Sequence, residues 1–241
     1  MKKIFAFFAF AAAVLSFTAC GGDEATSKYR IATFSDDWDT WTYTYDAEGK
    51  VSKIVRGEND RVYEFNYSGT TVTIKYTKGG EQKHDIVMTL NENGYCTKFV
   101  DEYEDEFTYT YDANGFITSV KKFDDLKSNV TIENGNITKW SKFEGETVYE
   151  KIHTYGKEKN VSGIHNIYAE FGAGRFFRET GLFGKGTELL CTTNQWDYSQ
   201  DPSQLNYEYD ENGNIKQEIK SFPTKPDSKV ENFYYTWETK K

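Results

Sequence analysis

The segment Tyr109-Thr110-Tyr111-Asp112-Ala113-Asn114-Gly115-Phe116-Ile117 recurs along the chain, and that recurrence constrains the fold more than any other feature. Tyr109 and Tyr111 are two apart, so on a strand they share one face. Asp112 can open a turn by accepting a hydrogen bond from a backbone N–H two residues on. Gly115 supplies the φ > 0 position that follows a type I turn, giving a hairpin with a bulge. The spacing then sets Asp112 opposite Phe116 and Tyr111 opposite Ile117. Such a cross-strand pair contributes roughly 0.2–1 kcal/mol, so register must come from many copies acting together.

Clean copies run from Tyr43 to Val51, with Asp46 and Gly49 in the turn, and from Tyr207 to Ile215, with Asp210 and Gly213. Shorter or altered turns are expected at Gly69, Gly94, Gly135 and Gly156. Asn134-Gly135 is the type I′ hairpin signal. The turn glycines fall about 20 residues apart, which two strands of roughly six to eight residues and two turns account for. Hairpins in succession make an antiparallel meander. The predicted fold is all-β, about 12–14 strands curled into an open roll or barrel-like sheet. A propeller blade of the WD40 kind needs about 40 residues, which the period excludes.

The rhythm lapses between Gly156 and Gly213. Residues 171–186 are glycine-rich, yet no G-x-x-x-x-G-K-[ST] pattern occurs, so a phosphate loop is not indicated. At most one short helix is expected, within 163–178.

The ends of the chain carry a different signal. Lys2 and Lys3 precede a short apolar run over residues 4–17, the pattern of a secretory signal peptide over 1–19. Phe17-Thr18-Ala19-Cys20 resembles a bacterial lipobox, which implies cleavage before Cys20 and acylation of that residue (palmitate among its chains). Several acyl chains together give a stable anchor, at about 0.8 kcal/mol per buried CH₂. Residues 20–28 read as a flexible tether and 29–241 as one repeat-built β domain. Asp23-Glu24 resembles the surface-export signal of Bacteroidetes lipoproteins. The expected location is therefore the outer membrane, at the cell surface or on its periplasmic face.

The net charge of −9 becomes −11 once Lys2 and Lys3 are removed with the signal peptide. Acid is clustered in Asp36-Asp37-Trp38-Asp39 and in Asp101-Glu102-Tyr103-Glu104-Asp105-Glu106. This argues against nucleic acid, which needs a basic footprint. Neither run has the spacing of a calcium loop, and no metal or cofactor is implied. Cys96 and Cys191 read as buried free thiols, although an oxidising envelope permits a disulfide.

The tyrosine–aspartate copies resemble the YD repeats of Rhs-type proteins, which form a long antiparallel strip that curls on itself. The chain as a whole more closely resembles a family of Bacteroidetes lipoproteins of unknown function, with a lipobox, YD-like hairpins and a late Gly-Lys-Gly segment. Leu182-Phe183-Gly184-Lys185-Gly186-Thr187 fits that segment. Glu188-Leu189-Leu190 stands where the commoner form has Asn-Leu-Pro. That family carries no established catalytic residues to transfer.

An enzyme is not expected. His84, His153 and His165 lack metal spacing, no G-x-S-x-G occurs, and no carboxylate pair is singled out for glycoside hydrolysis. The expected role is a non-catalytic binding module for a glycan or protein ligand. Trp38, Trp41, Trp140, Trp196 and Trp237 are platform candidates against a prevailing packing role. The alternatives are a structural or accessory envelope protein, or a carrier with an apolar cavity inside the roll.

Overall fold

The computed structural model describes residues 28–57, 60–164, 173–225 and 227–240. The signal peptide (expected to form a detached helix), Cys20 and most of the tether lie outside the described residues. The strands are β1 Tyr29–Ser35, β2 Thr40–Tyr45, β3 Val51–Arg56, β4 Arg61–Ser68, β5 Thr71–Lys78 and β6 Glu81–Gln82. They continue as β7 Ile86–Leu90, β8 Cys96–Val100, β9 Glu106–Tyr111, β10 Ile117–Lys122, β11 Asp125–Glu133 and β12 Asn136–Glu144. The last are β13 Thr147–Lys159, β14 Leu189–Trp196, β15 Ser203–Tyr209, β16 Ile215–Ser221 and β17 Glu231–Thr239. Each pairs antiparallel with its sequence neighbour, β5 also pairs with β7, and β17 returns to pair with β1. The meander thus closes into a barrel, with β6 as a two-residue spur on β5. Closure removes the unpaired edges that an open roll would leave.

The strand count exceeds the expected 12–14. One addition is β14, in the region where the repeat spacing lapses. Gly156 is not a turn residue but lies inside the long strand β13. The turn after it is Asn160–Gly163, where Gly163 has φ 65 and its N–H bonds to Asn160 O at 3.0 Å.

Alternation sends aromatic and branched side chains inward and Thr, Lys, Glu, Asn and Gln outward. On β2, Trp41 and Tyr43 are buried while Thr40, Thr42 and Thr44 are exposed. On β4, Tyr63 and Phe65 point in, Glu64 and Asn66 out. Outward rows carry cross-strand ion pairs, such as Lys53–Glu64 at 3.2 Å and Lys139–Glu150 at 2.8 Å. A membrane-spanning barrel has the reverse arrangement, and a Lys or Arg on its lipid face costs about 2–4 kcal/mol at mid-bilayer. The outer wall of this barrel is built for water.

The second tyrosine of each clean repeat has a specific task. Tyr45, Tyr111 and Tyr207 donate their hydroxyls to the carbonyls of Ile31, Cys96 and Cys191 at 2.7, 2.6 and 2.7 Å. Tyr67 and Tyr155 do the same to Val51 and Ile137 at 3.0 and 2.6 Å. Trp237 Nε1 takes the place in the last strand, donating to Ile215 O at 2.8 Å. Each hook ties the end of one strand to the start of the strand before it, next to the bulge. There a carbonyl displaced from the ladder would otherwise lack a partner.

Hairpins that alternate direction give the barrel two unlike ends. One carries the turns at Asp46, Gly69, Asn91, Asp112, Asn134 and Asp210, together with Lys28 and Lys240, whose backbones bond at 2.9 Å. The other carries the turns between β1 and β2, β3 and β4, β8 and β9, β10 and β11, β12 and β13, β14 and β15, and β16 and β17. We call them the sealed end and the rim.

Candidate functional site at the rim of a plugged barrel

A sixteen-strand barrel is wide enough to hold an aqueous channel. Here the long connection between β13 and β14 enters from the sealed end and fills the described interior. Its helical turn α1 (Arg175–Phe177) continues into a π-turn at Arg178–Leu182. The expected short helix therefore starts within 163–178 and runs four residues past it. Gly181, at φ 78, ends the turn by a conformation other residues rarely adopt.

The plug is held by aromatic contacts. Phe176 stacks on Trp41 with ring centres 5.6 Å apart. Phe177 meets Tyr63, Phe65 and Phe99 edge-on at 5.2, 6.2 and 5.7 Å. Phe183 meets Phe99 and Tyr109 at 6.0 and 5.3 Å. The carrier alternative needed open apolar volume inside the roll, and these rings stand where that volume would be.

Arg175 brings charge into the core. Its guanidinium contacts Glu218 at 2.9 Å and Glu179 at 3.5 Å, donates to the Tyr235 hydroxyl, and lies over the rings of Phe34 and Phe233. Two carboxylates beside aromatic rings are what a glycosidase would need. Here both are sealed from solvent and share one guanidinium, so the constellation fastens the plug to the wall. Sequence reasoning did not single these residues out, because they are 39 residues apart in sequence and converge only through closure of the barrel.

The late glycine segment seals the turn end. Lys185 N donates to Gly115 O and Glu188 N to Gly135 O, both at 3.0 Å. A Cβ on Gly184 would come 2.5 Å from Gly115 O, and one on Gly186 would come 2.7 Å from Ile164 O. Asn160 donates from Nδ2 to the carbonyls of Ile164 and Thr187 at 2.9 and 3.0 Å. Backbone packs on backbone here, and only glycine leaves the room.

The turn residues singled out in the sequence sit around this end, apart from one another. Asp46, Asp112 and Asp210 each accept two backbone N–H bonds on Oδ1, from the residues two and four positions on. Burial would raise the Asp210 carboxyl, but hydrogen bonds from Asn214, Asn212 and Gly213 hold it below its ordinary value. Gly49, Gly69, Gly94, Gly115, Gly135 and Gly213 all have φ between 58 and 89. A hollow of about 490 Å³ lies between the first two of these turns, but Asp46 is spent on backbone and Glu48 on Lys50. Among the described residues no group of three or more His, Cys, Asp or Glu is placed to hold a metal ion. Cys96 and Cys191 are free and buried, and burial pushes the Cys191 thiol up to about 12 and the Cys96 thiol further.

The rim is different in kind. Trp38, Tyr103, Phe123 and Tyr198 occupy four of its turns and are 82%, 79%, 55% and 66% exposed. The two acidic runs are two of these turns. Asp36 Oδ1 accepts the N–H groups of Trp38 and Asp39, and Asp101 Oδ1 those of Tyr103 and Asp105. Each acid is thus occupied in presenting an aromatic outward. Phe123 does so at φ 53 and Glu104 sits at φ 66, positions that glycine fills at the sealed end. Positive φ in bulky residues costs of order 1–3 kcal/mol and points to a function that requires it.

From Tyr198 an aromatic run descends into the barrel. Tyr198 stacks on Trp196 at 5.5 Å and meets Tyr149 edge-on at 5.4 Å; Trp196 leans on the fully buried Trp140 at 5.1 Å. Lys151 Nζ lies 5.3 Å over the Trp196 ring. Beside the run is a cleft of about 360 Å³ lined by Phe107, Val120, Lys127, Ser128, Lys142, Phe143 and Glu144, and Lys142 lies directly opposite Tyr149. Apolar rings with a few hydroxyl, ammonium and carboxylate groups suit a ligand that has both apolar faces and hydrogen-bonding edges. Of the five tryptophans, Trp41 and Trp140 are core, Trp196 and Trp237 half-buried, and Trp38 exposed.

No protein-family model matches the chain, and no curated protein matches it. Among solved structures it is similar to a porin-like protein from Bacteroides uniformis, with a TM-score of 0.64 and 17% identity over 86% of this chain and 96% of that one. It is also similar to a porin-like protein from Bacteroides vulgatus, with a TM-score of 0.59 and 14% identity over 87% of this chain and 98% of that one. At such identities the likeness is one of fold, a closed antiparallel barrel.

Proposed function

We propose that the chain is an envelope lipoprotein, anchored through Cys20 in the outer membrane at the cell surface, that binds a glycan at the rim of its barrel and performs no catalysis. The observation that carries this reading is the run Tyr198–Trp196–Trp140 with Tyr149 and the adjoining cleft. Sugar rings present C–H faces that pack on aromatic rings and hydroxyl edges that bond to groups such as Ser128, Lys142 and Glu144. The bulk of the charged interior is committed to holding the plug, which leaves binding and not chemistry to the exposed groups.

Retention on gels bearing immobilised polysaccharides tests the proposal. The wild-type chain should be retarded by at least one of them. Tyr198→Ala should weaken retention about tenfold, the equivalent of about 1.4 kcal/mol. Absence of retention on every polysaccharide, or retention that Tyr198→Ala and Trp196→Ala leave unchanged, would refute a glycan site at the run. A protein ligand is the second reading, favoured by the spread of Trp38, Tyr103 and Phe123 over separate turns of the rim.

A further inference from the structure

We infer that the barrel stands outside the bilayer with its sealed end toward the membrane and its rim away from it, so that its ligand approaches from the aqueous side. The inference rests on the proposed anchor at Cys20 and extends the reading of the rim as the binding surface. Three independent observations converge on it.

First, the outer wall excludes insertion. Lys53, Glu64, Lys75, Lys98, Lys121, Lys139 and Glu150 all lie on the outward faces of strands, spread over most of the first half of the barrel. Buried against lipid, each Lys alone would cost about 2–4 kcal/mol. The strands are also short for the task. β7 and β8 have five residues each, against roughly 9–11 for a tilted membrane strand.

Second, the chain enters at one end only. β1 starts at Tyr29 beside the end of β17, and Lys240 N bonds to Lys28 O at 2.9 Å, which fixes the first described residue at the sealed end. Eight residue steps separate Cys20 from Lys28. As a flexible coil that distance averages about 16 Å, and fully extended it reaches about 29 Å. The seven residues of β1 rise about 23 Å along the strand, or about 18 Å along the axis at a tilt of ~40°. The tether thus places the sealed end nearest the acyl chains and holds the rim farther out by most of the barrel's height.

Third, the two ends are surfaced differently. The sealed end is turns of Asp, Asn and Gly over a backbone-packed closure. The rim carries the exposed Trp38, Tyr103, Phe123 and Tyr198. Facing the membrane, those rings would sit among headgroups and be unavailable to a soluble ligand. Facing away, they meet a glycan chain in the aqueous phase.

The test uses the full-length acylated lipoprotein in vesicles that contain a lipid-linked energy acceptor. A fluorophore is attached at Glu211→Cys, in a sealed-end turn, or at Glu146→Cys, in a rim turn; both sites are exposed. Cys96 and Cys191 are buried with raised thiol pKa values, so they do not compete for the label. The Glu211→Cys label should be quenched strongly and the Glu146→Cys label weakly. Equal quenching, or stronger quenching at Glu146→Cys, overturns the inference while leaving the anchor in place. Cys20→Ser should release the chain from the vesicles. If it stays bound, the anchor itself is wrong and this orientation falls with it.

Discussion

His153 offers the sharpest test of how the barrel interior is built. It lies on β13, directly opposite Asn194 of β14, and is 4% exposed. Neither ring nitrogen has a hydrogen-bond partner among the described residues. Burial, and then the ammonium of Lys151 two residues away on the same inward face, lower its pKa from 6.5 to about 3. The folded chain therefore holds a neutral imidazole at pH values where the unfolded chain holds a proton. Stability is unaffected above pH 6.5 and falls as the pH drops below it, until the folded group also titrates near 3. Each pH unit in that window costs about 1.4 kcal/mol. Between pH 7.5 and 5.0 the window covers about 1.5 units, so the loss is about 2 kcal/mol. Any folded pKa below about 4 gives nearly the same figure, because at pH 5 the unfolded value sets it. Equilibrium urea denaturation of wild type and His153→Leu at the two pH values isolates this contribution. All other titrating groups, His84 and His165 included, are common to both chains. The wild type should lose about 2 kcal/mol more than His153→Leu. Equal losses would refute a neutral, buried imidazole at this place.

Three further outcomes follow from the same geometry. Gly184→Ala combines a φ of 81 with a backbone oxygen 2.5 Å from the new Cβ and should cost more than about 2 kcal/mol, whereas Gly69→Ala, with nothing within 4 Å, should cost only about 1; urea midpoints of the two decide it. Arg175→Met deprives two buried carboxylates of their guanidinium and should destabilise by about 3–5 kcal/mol, part of which Glu218→Gln in the same chain should restore, as read by thermal denaturation. In planar bilayers the protein should give no single-channel currents, because its wall is polar outside and plugged inside; stepwise conductance would contradict both features.

The hairpin repeat was legible because its chemistry is local. A tyrosine pair, a turn carboxylate and a glycine lie within nine residues, and antiparallel pairing of neighbours needs no long-range information. Closure was not legible. Whether β17 meets β1 depends on accumulated twist and on the number of strands, and no single repeat encodes either. The rim turn Asp101–Asp105 has the same hydrogen-bond pattern as Asp112–Phe116, but Glu104 stands in the glycine's place, which removed the signal. The lapse of the repeat after Gly156 marked where the fold changes character without showing that the inserted segment turns inward.

Composition and spacing alone determined an all-β meander with polar turns, since period-two alternation and turn residues act within a few positions of each other. Tertiary structure alone decided that the sheet closes, that Phe176, Phe177 and Phe183 fill it, and that Arg175, Glu179 and Glu218 meet inside. It also decided that the exposed aromatics gather at the end opposite the chain termini. Those features depend on which strands face one another across the barrel. That distance is spanned by packing and ion pairing between residues far apart in the sequence, so no local pattern could record it.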